Sequence, residues 1–466
     1  MKRFGVIILT VLMVCCVLSA SADTLYVNGM ERRTILQSGP DSVEEATARW
    51  YDAWTARHPE TKLSVSSQAG YRDTAALIRG LQKKNAKWDV LALSTADFDL
   101  RQAMRSGVLA DLTGDEALRA AVDAMHPALQ DAARQDGRLY GVPCGLTFGS
   151  FLSYDEAAMA QAGFRREDAP GSLTALLDFL ERWAASPAEN VCVTDTFEEK
   201  TYWAGSYTTF LTELLLEQYV QQRAARGLDG TFATPELIAL LERASSVGAA
   251  LYEADRPFSG GPCLFRVTSV PRNIPYLIPG RLAESDPLLI PVQVRLLCVS
   301  AASSHPEEAA AFVRTVTALT RQPTGGETVT AEDAETALTH ALLYTDATGD
   351  VISDRGGWYE QYVQDTVAKY EAIAADPTQS KKKRENAQAR LERYARENWV
   401  ENASKARYQL TAEELAVYQG YAGSLCVVTP DLTVVSSKAT RSLVKRFAAG
   451  RITARELAEG LDAQRR

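Results

Sequence analysis

The sequence predicts an α/β fold with two lobes, each a mostly parallel β-sheet flanked by helices. Strand-like and helix-like segments alternate between residues 33 and 106 in the order β-α-β-α-β, which favours a parallel sheet with right-handed crossovers. The chain has 466 residues, more than a single hydrophobic core usually supports. Because no low-complexity linker interrupts the chain, two lobes would have to be joined by strands that belong to the structure itself.

The alternating elements come first in the chain. A capping box, Ser42-x-x-Glu45, predicts a helix whose apolar stripe includes Val43, Ala46, Trp50 and Trp54. The other predicted elements of this region are strands at 33–37, 62–66 and 89–93 and helices at 75–84 and 99–106.

The rest of the chain is mostly helical in pattern. Ser172 is expected to cap a helix, and strand-like runs return in two places, 263–270 and 288–300. Further helices are predicted at 208–226, 235–253, 357–375 and 381–399. The tail pairs a helix at 443–449 with one that begins at the capping box Thr453-x-x-Glu456. We expect a packing hairpin there; a DNA-binding helix-turn-helix is the alternative.

The N-terminus is predicted to be an export leader, residues 1–22. Two basic residues precede the apolar run 6–18, and Ala20-Ser21-Ala22 gives the small-x-small pattern that signal peptidase reads. The run is shorter than the roughly 20 residues that span a bilayer. We therefore expect an exported protein, extracellular or periplasmic, and a lipid anchor on Cys15 or Cys16 stays open.

Charge and cysteine content narrow the possible partners. The formal net charge is −9, and an acidic chain repels phosphate backbones, so no nucleic acid is expected to bind. Five cysteines follow the leader, at positions 144, 192, 263, 298 and 426. They are far apart and contain no Cys-x-x-Cys, which indicates neither a zinc site nor a disulfide framework. Whether any two of them pair stays open.

Catalytic motifs are absent from the sequence. The four histidines lack partners at metal-ligand spacing, and there is no nucleophile elbow or P-loop. No catalytic residue, metal or cofactor is therefore predicted. Aromatic residues are dense in two segments, 201–210 and 354–363, and flat rings suit the apolar face of a sugar or the cation of an amine. For each of these rings, burial in the core is the alternative.

Segment 138–155 carries charge only at its two ends and has glycine at positions 141, 145 and 149. A core strand explains its apolar content but not three glycines at a spacing of four. The segment begins inside DGRLYGVP (136–143), which resembles a motif of extracellular solute-binding proteins of ABC importers, of the family 1, maltose-binding-like type. Five further motifs resemble that family in the same order: DVLALSTADF (89–98), SGVLADLT (106–113), SYDEAAMAQAGF (153–164), SSHPEEAAAFV (303–313) and FAAGRITARELAEGLD (447–462).

The resemblance implies a two-lobed, periplasmic-binding-protein-like (type II) fold with hinge strands between the lobes. Lobe 1 would comprise residues 23–143 and about 286–340, and lobe 2 residues 144–285 and about 341–466. Segment 138–155 would be the first crossover, bending at Gly141, Gly145 and Gly149.

It also implies a ligand in the interlobe cleft and an ABC permease as partner, with the receptor itself a monomer. The expected ligand contacts are Ser38, Tyr71, Thr95, Asp97, Phe148, Trp203, Tyr207 and Trp358. A sugar or oligosaccharide is the favoured ligand, with an amine or a peptide as alternatives. Two other functions stay open: a secreted carbohydrate-active enzyme, and a sensory protein of the same fold that signals to a membrane kinase.

Overall fold

The computed structural model describes residues 24–39, 42–67, 70–83, 86–148, 151–228, 230–258, 261–268, 280–321, 355–396, 400 and 423–465. The predicted leader lies outside these residues, as does Gly149.

The described residues form the following strands and helices. The strands are β1 (Thr24–Asn28), β2 (Arg33–Gly39), β3 (Ser42–Thr47), β4 (Lys62–Ser66), β5 (Val90–Ser94), β6 (Arg134–Gln135), β7 (Arg138–Leu139), β8 (Val142–Phe148), β9 (Phe151–Tyr154), β10 (Cys192–Thr194), β11 (Cys263–Thr268), β12 (Ile290–Val299) and β13 (Leu425–Val427). The helices are α1 (Arg49–Arg57), α2 (Thr74–Leu81), α3 (Leu100–Arg105), α4 (Glu116–Asp123), α5 (Pro127–Ala132), α6 (Glu156–Gln161), α7 (Leu173–Ala185), α8 (Ser206–Ala225), α9 (Pro235–Ala254), α10 (Pro306–Arg321), α11 (Arg355–Ala375), α12 (Lys381–Arg396), α13 (Asp431–Val435), α14 (Lys438–Ala448) and α15 (Ala454–Arg465).

The larger sheet has the strand order β13-β12-β5-β1-β4, and β8 also pairs with β12. Strand β1 is parallel to both β4 and β5, as the alternating pattern predicts. Strand β12 is antiparallel to β5 and to β8, so the sheet is mixed rather than mostly parallel. The reason is that β12 enters this sheet from the opposite direction, after the chain has returned from a second core.

The first hydrophobic core lies around this sheet. Its buried strand residues come from β1, β4, β5, β8, β12 and β13, and helices α1 and α10 pack together on it. Trp54 is fully buried, and its ring meets that of Phe312 edge-on with centroids 5.4 Å apart. Trp50 packs against the same core, as its place on the helix stripe predicts.

A second hydrophobic core surrounds a three-stranded sheet of order β10-β11-β9. Helices α7, α8 and α9 cover it, and α8 packs along α9. The Ser172 side chain caps α7, accepting a hydrogen bond from the Ala175 amide. The tail helices α14 and α15 bury Val444, Phe447 and Leu457 in this core, which confirms the packing hairpin.

Within the described residues the chain passes between these two cores at three places, and helices α11 and α12 form a small cluster of their own around Val363 and Tyr394. Leu146 lies in the first core and Leu152 in the second, so the first passage falls between β8 and β9. The return runs from Leu282 in the second core to Ile290 in the first. The third passage leads from Leu425 in the first core to Val428 in the second. These passages are the strand connections that the sequence predicts between two lobes.

Two features of the first lobe differ from the predictions. Residues 42–47, predicted to begin a helix, form strand β3, which pairs antiparallel with β2 as a separate hairpin. The helix begins only at Arg49, after Ala48. The first strand of the parallel sheet is β1, directly after the predicted leader, and not the segment at 33–37. Val43 and Ala46 therefore belong to a hairpin, because pairing with β2 outweighs the local capping signal.

Candidate functional site

A cavity of about 530 Å³ lies where parts of both cores meet. Thr95 and Phe98 line it from the end of β5, Ala132 from α5, and Ala224 from the last turn of α8. Another wall is the third passage of the chain, from Leu425 to Pro430, and Arg101 of α3 and Asp131 of α5 line the cavity as well. The cavity thus lies at the junction of the two cores and next to one of the connecting segments.

Thr95, a predicted ligand contact, is tied to the crossing strand β12. Its amide donates to the Val294 carbonyl at 2.9 Å, and its hydroxyl accepts a 2.9 Å hydrogen bond from the Val294 amide. The residue is buried. Thr95 therefore fastens the end of β5 to β12, and any contact with a ligand would be made by a side chain that already holds this junction.

The other predicted contacts of the first lobe lie near the carboxyl edge of the sheet or on the hairpin. Asp97 follows β5 and is exposed. Tyr71 is half-buried against the first core, and burial raises the pKa of its hydroxyl. The Asp99 amide donates to the Thr74 hydroxyl at 2.8 Å, which holds the segment after Tyr71 beside the loop that carries Asp97. Ser38 lies opposite Val43 in the β2–β3 hairpin.

A second cavity, of about 550 Å³, lies within the second lobe. Three aromatic rings line it: Tyr202 meets Phe258 edge-on at 5.3 Å and Tyr252 at 5.4 Å between ring centroids. Charged residues also line the cavity: Glu253 in the last turn of α9, and Asp255 and Arg256 after it. Trp203, beside this cavity in sequence, is 36% exposed. The sequence does not predict this aromatic cavity, because Tyr252 and Phe258 lie about fifty residues from the aromatic segment 201–210.

Tyr207 has no exposed surface and lies in the second core. Its hydroxyl donates to Asp255. The same carboxylate accepts from the amides of Val193, at 3.2 Å, and Arg256, at 2.8 Å. Burial raises the pKa of Asp255 to about 6. Tyr207 therefore does not fit its predicted role as a ligand contact. It lies on the face of α8 that packs into the second core, where a ligand cannot reach it.

The structure does not bring Trp203 close to Thr95. Helix α8 has 20 residues, which corresponds to a length of about 30 Å. Trp203 precedes its first turn, whereas Ala224, at the other end, lines the same cavity as Thr95. A single compact ligand cannot touch both residues, although an extended one could.

The two remaining contacts are described only by their backbones. Phe148 ends β8, opposite Val292 of β12, and Trp358 lies in the first turns of α11. Of the predicted hinge glycines, Gly141 and Gly145 lie beside β12 in the first sheet. A Cβ atom on Gly141 would be 2.8 Å from the Cys298 sulfur, whereas one on Gly145 would have its nearest neighbour at 3.7 Å. Gly141 therefore serves close packing of two strands, and the chain leaves the first core only after Phe148.

The described residues contain no group of three or more His, Cys, Asp or Glu side chains that could hold a metal ion. Their cysteine thiols are poor candidates for nucleophiles, because burial raises the pKa of Cys144 to about 12 and that of Cys426 to about 11. None of the helices in this part of the chain is long and apolar enough to cross a membrane.

A mixed sheet with an inserted antiparallel strand, two cores and the passages between them make the described part of the chain a two-lobed α/β fold. Residues 49–248 match the family model described as bacterial extracellular solute-binding protein. This match confirms the resemblance that the sequence motifs indicate. No curated protein sequence matches the chain significantly.

Solved structures are similar to this chain over most of its length. A family 1 extracellular solute-binding protein from Bifidobacterium longum subsp. infantis is 15% identical, with a TM-score of 0.50 over 95% of this chain and 98% of its own. The Listeria monocytogenes ABC substrate-binding protein Lmo0181, solved with cycloalternan, is 14% identical, with a TM-score of 0.49 over 95% of this chain and 97% of its own. The cyclic α-maltosyl-1,6-maltose binding protein from Arthrobacter globiformis is 15% identical, with a TM-score of 0.49 over the same shares of the two chains. The comparison with the Bifidobacterium protein confirms the predicted two-lobed α/β fold.

Proposed function

We propose that the protein is a solute receptor of an ABC importer, which binds a small ligand between its lobes and delivers it to a membrane permease. The observation that carries the proposal is the set of three passages between two separate cores. Two rigid bodies joined by short strands can rotate about them, and a ligand that touches both bodies favours the closed state. The family match over residues 49–248 supports the same function.

The ligand class we propose is carbohydrate, in particular an oligosaccharide. The support is the resemblance of the six motifs, together with the aromatic cavity of Tyr202, Tyr252 and Phe258 and the exposed ring of Trp203 beside it. Aromatic faces bind the apolar faces of sugar rings. A ligand that touches both the sheet edge of the first lobe and Trp203 would have to be extended, because the two places lie at opposite ends of α8.

The ligand contacts remain proposals. In the first lobe these are Asp97, Tyr71 and Ser38, with Thr95 placed behind them at the β5–β12 junction. Trp203, Phe148 and Trp358 would contribute elsewhere, and a hinge role for Gly149, which lies outside the described residues, stays a proposal. The lobe boundaries implied by the resemblance lie at residue 143 and at about 285 and 340. We propose boundaries that follow the passages instead: between Leu146 and Leu152, between Leu282 and Ile290, and between Leu425 and Val428.

We also infer that residues 1–22 are an export leader and that the receptor acts outside the cytoplasm as a monomer, without catalysing a reaction. Whether Cys15 or Cys16 carries a lipid is a separate question, which mass spectrometry of the exported protein answers. Turnover of an oligosaccharide by the purified protein would contradict the receptor function and favour the carbohydrate-active enzyme.

The experiment that tests the function is a thermal-shift panel of mono- and oligosaccharides, amines and peptides, followed by small-angle scattering with each stabilising compound. A ligand present at 100 times its Kd stabilises the folded state by about 2.7 kcal/mol. We expect an oligosaccharide to raise the Tm and to reduce the radius of gyration. A panel without any stabilising compound, or a stabilising compound that leaves the scattering curve unchanged, would count against the proposal.

Two variants separate the contributions of the two lobes to ligand binding. Asp97→Ala is expected to weaken every sugar that binds, whereas Trp203→Ala should weaken only the longer oligosaccharides, by about tenfold for a lost stacking contact. Leu228→Ala is the matched control, since Leu228 is also exposed on the second lobe. Equal losses for short and long sugars in Trp203→Ala would contradict the extended binding mode.

A further inference from the structure

Two cysteines that are far apart in sequence face each other across neighbouring strands of the second lobe. Strands β10 and β11 run parallel, and Cys192 is the register partner of Cys263. Both residues are buried. Register partners in a sheet project their side chains to the same face, so the two thiols point into the same space.

The sulfur atoms of this pair are 2.7 Å apart. Even carbon atoms that are not bonded prefer about 3.5–4.0 Å, so two sulfurs at this distance are close to bonding. Neighbouring strands lie about 4.7–4.9 Å apart, and this spacing falls within the Cα separation of about 4.4–6.8 Å that a disulfide spans. No movement of the backbone is therefore needed to join the two residues.

We propose that Cys192 and Cys263 form a disulfide bond that links β10 to β11. The two thiols lose two protons and two electrons as the S–S bond forms. The oxidant is another disulfide, of a small molecule or of an exchange protein, which takes up both electrons and both protons and becomes two thiols. This bond goes beyond the proposed function, since no step of ligand binding requires it.

The assignment is specific to this pair. No other sulfur–sulfur contact joins the described cysteines. The Cys144 sulfur instead lies 3.4 Å from the Arg295 carbonyl, and the Cys298 sulfur packs at the position of Gly141. An export leader would also take the chain to a compartment in which disulfides persist.

Burial determines when the bond can form. Because an oxidant cannot reach thiols that are buried in the folded lobe, the exchange has to take place while β10 and β11 are still accessible, during folding. Burial also raises the pKa of both thiols, which makes them poor nucleophiles once the lobe has folded. Protein that folds under reducing conditions is therefore expected to stay reduced when an oxidant is added later.

Peptide mapping tests the bond directly. The full chain is refolded with oxidised glutathione, unfolded with an alkylating reagent but without reductant, and digested with trypsin. Residues 183–200 and 244–266 form two peptides with one cysteine each. We expect them to be recovered as one linked species that separates on reduction. Recovery of both as separate alkylated peptides, or of a different linked pair, overturns the proposal.

Thiol titration of variants in denaturant gives a second readout that does not depend on folded yield after refolding. Cys192→Ser should raise the number of free thiols by one relative to the wild type, because its partner loses the bond. Cys263→Ser should do the same. Cys426→Ser is the matched control and should lower the number by one. A decrease of one in all three variants would show that no bond exists.

Discussion

The hydroxyl of Tyr207 donates a hydrogen bond to the carboxylate of Asp255, and both groups are buried in the second core. The pair joins the first turn of α8 to the residue that follows α9. Since Asp255 also accepts from the Val193 amide of β10, one carboxylate connects two helices and a strand. The arrangement explains why an aromatic residue in a segment rich in candidate ligand contacts serves the core instead.

We expect this carboxylate to make stability depend on pH. Its pKa is raised to about 6 in the folded protein, against about 3.9 in an unfolded chain. Its contribution to the free energy of unfolding is therefore complete below about pH 4 and falls by about 3 kcal/mol as the pH rises through 6. Urea unfolding of the wild type and of Asp255→Asn between pH 4 and 7 measures how the free energy of unfolding of each protein changes with pH.

The free energy of unfolding of Asp255→Asn should differ from that of the wild type by a constant amount at all pH values, because an amide cannot accept all three hydrogen bonds. The decrease in the free energy of unfolding between pH 4 and 6 should be absent in this variant. Asp195→Asn is the control, since Asp195 directly follows β10, the strand that contacts Asp255, and is exposed. Parallel pH curves for the wild type and Asp255→Asn would contradict the prediction.

Gly141→Ala is expected to destabilise the first lobe by about 1–3 kcal/mol, the usual cost of overpacking a core. Its new Cβ would lie 2.8 Å from the Cys298 sulfur and 3.2 Å from the Leu297 carbonyl oxygen. Gly145→Ala adds the same atom within β8, four residues further along, with ordinary contacts and should change the Tm little. Equal Tm values for the two variants would contradict the packing role of Gly141.

The sequence and structure agree where a local pattern is reinforced by long-range pairing. The alternation of β4, α2, β5 and α3 was predictable because each apolar face has a partner in the first core. The prediction that a helix starts at Ser42 was wrong, because a capping box is a local signal and residues 42–47 pair with β2 instead. The period of the helix places Tyr207 on a defined face of α8, but only tertiary structure shows that this face is buried.

The candidate site was less predictable than the fold for a related reason. Thr95 could be placed at a strand end, but its bond to Val294 depends on a strand almost two hundred residues further along the chain. The aromatic cavity depends on the return of α9 along α8, which brings Tyr252 to Tyr202. Contacts of this kind leave no periodic signal in a single sequence.

Formation of the Cys192–Cys263 bond should stabilise the protein markedly. The two residues are 71 positions apart, and closing a loop of that length in the unfolded chain corresponds to about 4 kcal/mol. Denaturant unfolding of the oxidised and reduced wild type measures this difference. The double variant Cys192→Ala/Cys263→Ala should have the same stability in both conditions, and a difference that persists in it would assign the effect to other cysteines.

Thr95→Val should destabilise the protein by about 1–3 kcal/mol, because it removes the acceptor for the buried Val294 amide while keeping nearly the same shape. Thr95→Ser keeps the hydroxyl and should cost less than 1 kcal/mol. Differential scanning calorimetry of the two variants separates the hydrogen bond from the lost methyl group. Because the bond fastens β5 to the strand that returns from the second lobe, Thr95→Val is also expected to loosen the junction between the lobes. Faster hydrogen exchange of the Val294 amide in Thr95→Val than in Thr95→Ser would demonstrate this, and equal exchange rates would show that Thr95 does not hold the junction.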